Sequence, residues 1–297
     1  MDGTRTRGLG WIPDFPDFRD YTEATPDVRD ALAPTGLGAA ARGRPGPPRL
    51  AAAVDLRPWA SPVEDQGALG SCTAQAGAGV IEYYERKAFG RHIDASRLFL
   101  YKATRNLMKA KGDSGAFLRT TMGAMVLFGV PPEKYWPYSD AGEAFDREPP
   151  AFCYAFAQSY RTLLYYRHDP AGADRSDVLD RLKAHLAAGH PAMFGFTVYS
   201  SIDQAEATGR IPVPHGRERV EGGHAVVAMG YDDAMAIANA AGGEACRGAL
   251  LVRNSWGKGW GEAGYGWLPY AYVLRGLAED FWSVLKKDWI DTGEFKL

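Results

Sequence analysis

Three stretches of this sequence hold side chains suited to covalent chemistry. They are Gln66-Gly67-Ala68-Leu69-Gly70-Ser71-Cys72-Thr73-Ala74, Glu221-Gly222-Gly223-His224-Ala225-Val226, and Val252-Arg253-Asn254-Ser255-Trp256-Gly257. Cys72 follows a Gly-Ser turn and opens a predicted helix, where backbone N–H groups and the helix dipole favour a thiolate. A nearby imidazolium lowers a thiol pKa further, which makes His224 the candidate base. The side-chain carbonyl of Asn254 can accept from one imidazole nitrogen and so fix which nitrogen faces the sulfur. Trp256 would then shield that hydrogen bond from water. The amide of Gln66, six residues before Cys72, can point with the Cys72 N–H at an oxyanion. Taken singly, each has a plain structural reading: an inert buried thiol, a core imidazole, a turn-forming Asn and a solvated loop Gln. Together they supply nucleophile, base, orienter and oxyanion donor for acyl transfer. The other histidines, His92, His168, His185, His190 and His215, lack such a setting and are assigned no role.

The elements that must position these groups can be read around them. A helix is predicted from Cys72 to Lys87, with Gly77 and Gly79 marking close packing inside the protein. Further helices are expected over Ser96–Asn106, Leu118–Phe128 and residues 177–188, the last two ending at Gly129 and Gly189. Strand-like runs follow at Pro191–Val198, Ala225–Tyr231, Ala249–Asn254 and Gly264–Pro269. Helices lead and strands follow, an α+β pattern. Residues 1–53 differ in character and read as an N-terminal extension, with the folded domain at 54–297, its helical half about 54–150 and its β half about 151–280. Pro13 and Pro16 make the aromatic stretch Trp11–Tyr21 an extended arm. The Ala/Gly/Pro/Arg-rich run 31–48 reads as a flexible linker.

The segments Gln-Gly-x-x-Gly-Ser-Cys, Gly-His-Ala-Val and Asn-Ser-Trp-Gly-x-x-Trp-Gly, in this order, resemble the papain/cathepsin cysteine peptidases. The resemblance covers roughly residues 54–270 and points to a bacterial-type branch with a short N-terminal extension. It implies a helical left half carrying Cys72, a β-barrel-like right half carrying His224 and Asn254, and substrate in the cleft between. It also implies that Ser114 and Gly115 pair with the substrate backbone, and that Gly70, Gly223 and Trp256 contact substrate. Gly222-Gly223 and Ala116-Phe117-Leu118 suggest a roomy apolar pocket for the second residue before the scissile bond. His224 falls near the family's ~130–150 residues after the cysteine. Asn254 falls later, which implies a loop-like insertion over Asp232–Arg247. Thr73 stands where the family usually has Trp, and Leu69 where it usually has a bridged cysteine. The latter fits a reducing compartment.

Composition bounds the alternatives. With a formal net charge of −2 and a pI near 6.3, nucleic acid is not an expected partner. No apolar run suits a transmembrane helix, and Met1–Arg7 does not lead into a signal peptide, so a cytoplasmic monomer acting on peptides or proteins is expected, without metal or cofactor. The three cysteines do not make a disulfide framework; Cys153 and Cys246 are expected as buried thiols rather than as a bridge. The same triad would also serve a peptide ligase or cyclase, and a peptide-binding pseudoenzyme is the non-catalytic alternative. The arm has two readings that stay open: it lies across the cleft as the blocking segment of a zymogen, or it packs outside.

Overall fold

The computed structural model describes residues 7–37, 50–160, 164–243 and 245–285. Its helical part holds α1 (Pro26–Leu32), α2 (Cys72–Phe89), α3 (Arg97–Met108), α4 (Leu118–Leu127) and α5 (Ala151–Ala157). The sheet is built from β1 (Ala53–Asp55), β2 (Leu164–Arg167), β3 (Ala192–Tyr199), β4 (Val220–Ile237), β5 (Cys246–Arg253), β6 (Tyr265–Pro269) and β7 (Ala278–Leu285). Two helices, α6 (Arg175–Ala187) and α7 (Tyr270–Leu274), interrupt the strands. Among the described residues, no helix is long and apolar enough to cross a membrane.

The central helix α2 packs against α3, α4 and β4. Its glycines explain how. A Cβ on Gly77 would come within 3.0 Å of Leu100 and Met125, and one on Gly79 within 2.8 Å of the Arg253 guanidinium. Each glycine costs about 1 kcal/mol of helix propensity, and close approach of neighbouring elements offsets that cost. Ser96 caps α3 by accepting from the Phe99 N–H, and Asp174 caps α6 by accepting from the Ser176 N–H.

The sheet is antiparallel with strand order β2-β7-β3-β4-β5-β6, and β1 adds to β4. Helices beside an antiparallel sheet are the α+β papain-like fold expected, but among the described residues the sheet is not closed into a barrel. Its two outer strands are covered rather than joined to each other. At one edge the Arg167 N–H donates to Tyr21 O of the arm, at 2.7 Å. At the other, Trp267 exchanges hydrogen bonds with Gly209 and Ile211.

Several sequence expectations need correction. Asp232–Arg247 is a hairpin extension rather than a loop, because β4 runs to Ile237 and β5 begins at Cys246. The supposed linker begins inside α1, whose Val28 and Leu32 bury against Tyr166. Residues 38–49 of that linker lie outside the described residues. β7 passed unrecognised because Glu279 and Asp280 interrupt its apolar pattern, and it carries the β half past residue 280. All three cysteines are free; Cys153 is buried as expected, whereas Cys246 is half-buried.

Candidate active site

Each element delivers one group. Cys72 is the first residue of α2, and its fully buried sulfur faces the backbone N–H groups of Ala225, Gly10 and Thr73. His224 sits on β4, immediately before Ala225, and is also fully buried. Its Nε2 lies 2.7 Å from Asn254 Oδ1. Trp256 stacks on the imidazole with ring centroids 4.6 Å apart, and Trp260 meets Trp256 edge-on. Asn254 follows the end of β5, and its Oδ1 also accepts from the Ser255 N–H at 2.8 Å. Gln66 is buried, with Oε1 accepting from Ser255 Oγ and its backbone N–H donating to Ser255 O. Thus Ser255 ties Gln66 to the segment that holds Asn254.

The electrostatics are those of a covered site. Burial pushes the Cys72 thiol up to about 11, against the pull of the amides around it. Burial also pushes His224 down to about 4; the Asn254 hydrogen bond opposes that shift and the Arg7 charge adds to it. The thiol and the imidazole are therefore both neutral here over the whole physiological range.

What covers them is the N-terminal arm. The Gly8 N–H donates to Gly67 O at 3.0 Å, while Gln66 Nε2 donates to Gly8 O at 3.0 Å and to Leu69 O at 2.7 Å. The Ala116 N–H donates to Gly10 O at 2.7 Å, and the Ile12 N–H to Ala116 O at 3.1 Å. Trp11 donates its backbone N–H to Gly223 O at 3.1 Å, and the residue is 5% exposed. Two of the arm's residues must be glycine. A Cβ on Gly8 would lie 1.9 Å from Leu69 O, and one on Gly10 1.9 Å from Gly70 O.

The expected substrate-contacting residues divide. Gly223 and Gly70 touch the arm through their backbones, and Trp256 stacks on His224 beneath the Arg7 guanidinium. Gly115 packs against Gly10 O, but its own N–H donates to Tyr101 Oη. The arm makes its β-type pairing with Ala116 rather than Gly115. Ser114 is exposed, and its hydroxyl donates to the adjacent Gly115 O.

The pocket that holds Trp11 is not purely apolar. The indole Nε1 donates to Asp280 Oδ2 at 3.1 Å. Asp280 is buried, accepts from Trp282 Nε1 and lies 3.2 Å from Arg167 Nη1. The β3–β7 register slips between Met193 and Gly195, and Asp280 has φ 65°. Gly195 forms the pocket wall, since a Cβ there would fall 1.9 Å from the Trp11 indole. Ala116 was read as pocket lining and not as a backbone partner, while Gly195 and Asp280 were missed. Gly195 left a trace, a lone glycine between Phe194 and Phe196 in a strand pattern; Asp280 left none.

An antiparallel sheet packed on a central helix, with a cysteine at that helix's start beside a histidine–asparagine pair, is the architecture of a thiol protease. The model of the papain family cysteine proteases matches residues 50–277, and the chain belongs to that family. It is similar to xylellain, a cysteine protease from Xylella fastidiosa, at 35% identity over 96% of this chain and 98% of that one, with a TM-score of 0.75. It is 35% identical over 226 residues to an uncharacterized peptidase C1-like protein of Acanthamoeba polyphaga mimivirus, spanning 74% of this chain and 68% of that one. The bromelain protease of Ananas comosus shares the fold at 20% identity, over 80% of this chain and 100% of that one, with a TM-score of 0.58.

Proposed function

We propose that this cysteine protease works through Cys72, His224 and Asn254, with Gln66 Nε2 and the Cys72 N–H as oxyanion donors, and that the arm holds it in a self-blocked state. One observation carries the reading: Gln66 Nε2 already donates to a peptide carbonyl, that of Gly8. The arm occupies the donor that a substrate carbonyl would need, and the neutral thiol and imidazole beneath it form no ion pair.

With the arm displaced, His224 takes the Cys72 proton and the thiolate attacks the substrate carbonyl carbon. Negative charge moves onto the carbonyl oxygen, where the two donors receive it. The carbon–nitrogen bond then breaks, and His224 gives its proton to the leaving amine. Water attacks the resulting thioester and passes its proton through His224 to the departing sulfur, which restores the free enzyme. Asn254 keeps the imidazole turned throughout, and Trp256 keeps water from the bond between them.

The test compares hydrolysis of a fluorogenic peptide library by three chains: 1–297, the same chain carrying Trp11→Ala, and 51–297. Cys72→Ala is the control for each. The expected order is low activity for the intact chain and at least tenfold more for the other two, all abolished by Cys72→Ala. Equal activity of 1–297 and 51–297 would remove the self-blocked state from the proposal, and turnover by Cys72→Ala would remove the triad.

A further inference from the structure

Beyond the cleft, the arm brings a carboxylate to two histidines that peptide hydrolysis does not use. Glu23 precedes α1, His168 directly follows β2, and His185 lies in the last turn of α6. A carboxylate oxygen of Glu23 and one nitrogen of each ring lie within 4.8 Å of one another, with His185 Nε2 3.3 Å from Glu23 Oε1. His168 is 0% and His185 1% exposed, and their rings meet edge to face with centroids 4.6 Å apart.

The surrounding hydrogen bonds fix both tautomers. Ser283 Oγ donates its single proton to Pro191 O at 2.9 Å, so at 2.8 Å from His168 Nε2 it can only accept. The His168 proton is therefore on Nε2, and its Nδ1 carries the lone pair. His185 Nδ1 lies 2.8 Å from Arg181 O, a carbonyl that can only accept. A proton is therefore on Nδ1, and in the neutral ring Nε2 carries the lone pair. Neither His168 Nδ1 nor His185 Nε2 makes a hydrogen bond. His185 Nε2 thus faces the Glu23 carboxylate with His168 as a second buried imidazole beside it, each ring held by an outer hydrogen bond of the kind that orients metal-ligating histidines.

Arg181 completes the setting. Its Nε lies 3.6 Å from Glu23 Oε1, and its Nη1 donates to His168 O. The guanidinium balances Glu23 when no ion is bound and holds the carboxylate from outside when one is. Two neutral imidazoles and one carboxylate suit zinc and its neighbours rather than magnesium or calcium.

We propose that Glu23, His168 and His185 bind a divalent transition ion of the zinc type, with water as the fourth ligand, and that this ion fastens the N-terminal arm to the enzyme. The fastening rests on the self-blocked reading above; the ion site does not. Because one ligand comes from the arm and two from the body, the docked arm binds the ion more tightly than the released arm, and the ion shifts the balance toward docking.

The test uses the full chain with Cys72→Ala, which removes the thiol as a competing ligand, stripped by a chelator. Zn2+ binding is measured by calorimetry and Co2+ binding by visible absorption. One equivalent should bind, the Co2+ form should show the bands of a four-coordinate site, and Glu23→Gln and His185→Gln should each weaken binding at least 100-fold. Zn2+ should also slow tryptic cleavage after the exposed Arg19 of the arm, and Glu23→Gln should abolish that protection. Absence of stoichiometric binding, or binding indifferent to both substitutions, would overturn the site. Site-dependent binding without protection at Arg19 would overturn the fastening. Neither readout uses peptidase activity, so failure of the self-blocked state would appear separately, as equal activity of 1–297 and 51–297.

Discussion

Cys72 and His224 are each displaced from their ordinary titration by burial, in opposite senses, and both displacements favour the uncharged form. His224 is held at about 4 beneath the arm, against an ordinary 6.5. A site uncovered by arm release binds more protons than the covered one between these two values. Covering is therefore strongest between about 6.5 and 9, weakens as the pH falls toward 4 through His224, and weakens again as it rises toward 11 through Cys72. The alkylation rate of Cys72 in the full chain, divided by that in 51–297, should rise as the solution is acidified through this window. A ratio that stays flat or falls would contradict the linkage. At Gln66 the expectation concerns turnover: Gln66→Ala in 51–297 should lower kcat by about 10²–10³ with KM little changed, as for other lost oxyanion donors. These groups were legible in the sequence because each residue type sits beside its own signature, a Gly-Ser turn, a Gly-Gly pair or an Asn-Ser-Trp run. Asp280 was not legible. An acidic residue in a charged pair looks solvated, and nothing local reveals that a bulge turns it toward the Trp11 indole.

Among the elements, the arm was the hardest to read. Proline and aromatic residues marked it as extended, but its path depends on acceptors and donors from Gly67, Ala116 and Gly223, far apart in the chain. Helices α2, α3, α4 and α6 and strands β3 to β6 were legible from period and caps, to within a few residues at most ends. Short α1, α5 and α7, and strands β1, β2 and β7, were not, being too brief or too interrupted to show a period. Trp11 carries much of the arm's apolar burial. Removing a buried Trp side chain costs about 3–5 kcal/mol, so Trp11→Ala should release the arm. Hydrogen exchange of the amides of Trp11, Ile12 and Ala116 would report it, as protection lost in that variant and retained in the parent. The pocket so vacated holds a buried carboxylate against a glycine wall. Library cleavage by 51–297 should therefore favour large side chains carrying an N–H donor at the position that enters it.

At the scale of the whole molecule, the arm crosses both halves of the protein. Arg119 of α4 holds Asp14, Asp20 and Phe15 O. Arg167 of β2 is 1% exposed and donates to Asp14 O and Asp169. Deleting residues 1–50 takes away part of this charge network: Arg167 keeps Asp169 and Asp280, whereas Arg119 loses Asp14, Asp20 and Phe15 O and must recruit water or other partners. The Tm of 51–297 should fall by several degrees, about 2–4 °C for each kcal/mol lost in a domain of this size. An unchanged Tm would mean that the arm lies on the domain without supporting it.

The fit of Gly8 and Gly10 beneath the carbonyls of Leu69 and Gly70 has a further consequence, best expressed as concentration. An arm carried on the same chain as its cleft meets that cleft at an effective concentration that reaches about millimolar. A docking constant only somewhat below millimolar is then enough to keep most molecules shut. The same segment, Arg7-Gly8-Leu9-Gly10-Trp11-Ile12, added as a free peptide should inhibit 51–297 only when supplied at comparable concentration, and an analogue with Ala at Gly10 should not inhibit at all. On the self-blocked reading proposed above, a latch of that strength opens when tethering is lost, so a single cut between arm and domain should switch the enzyme on.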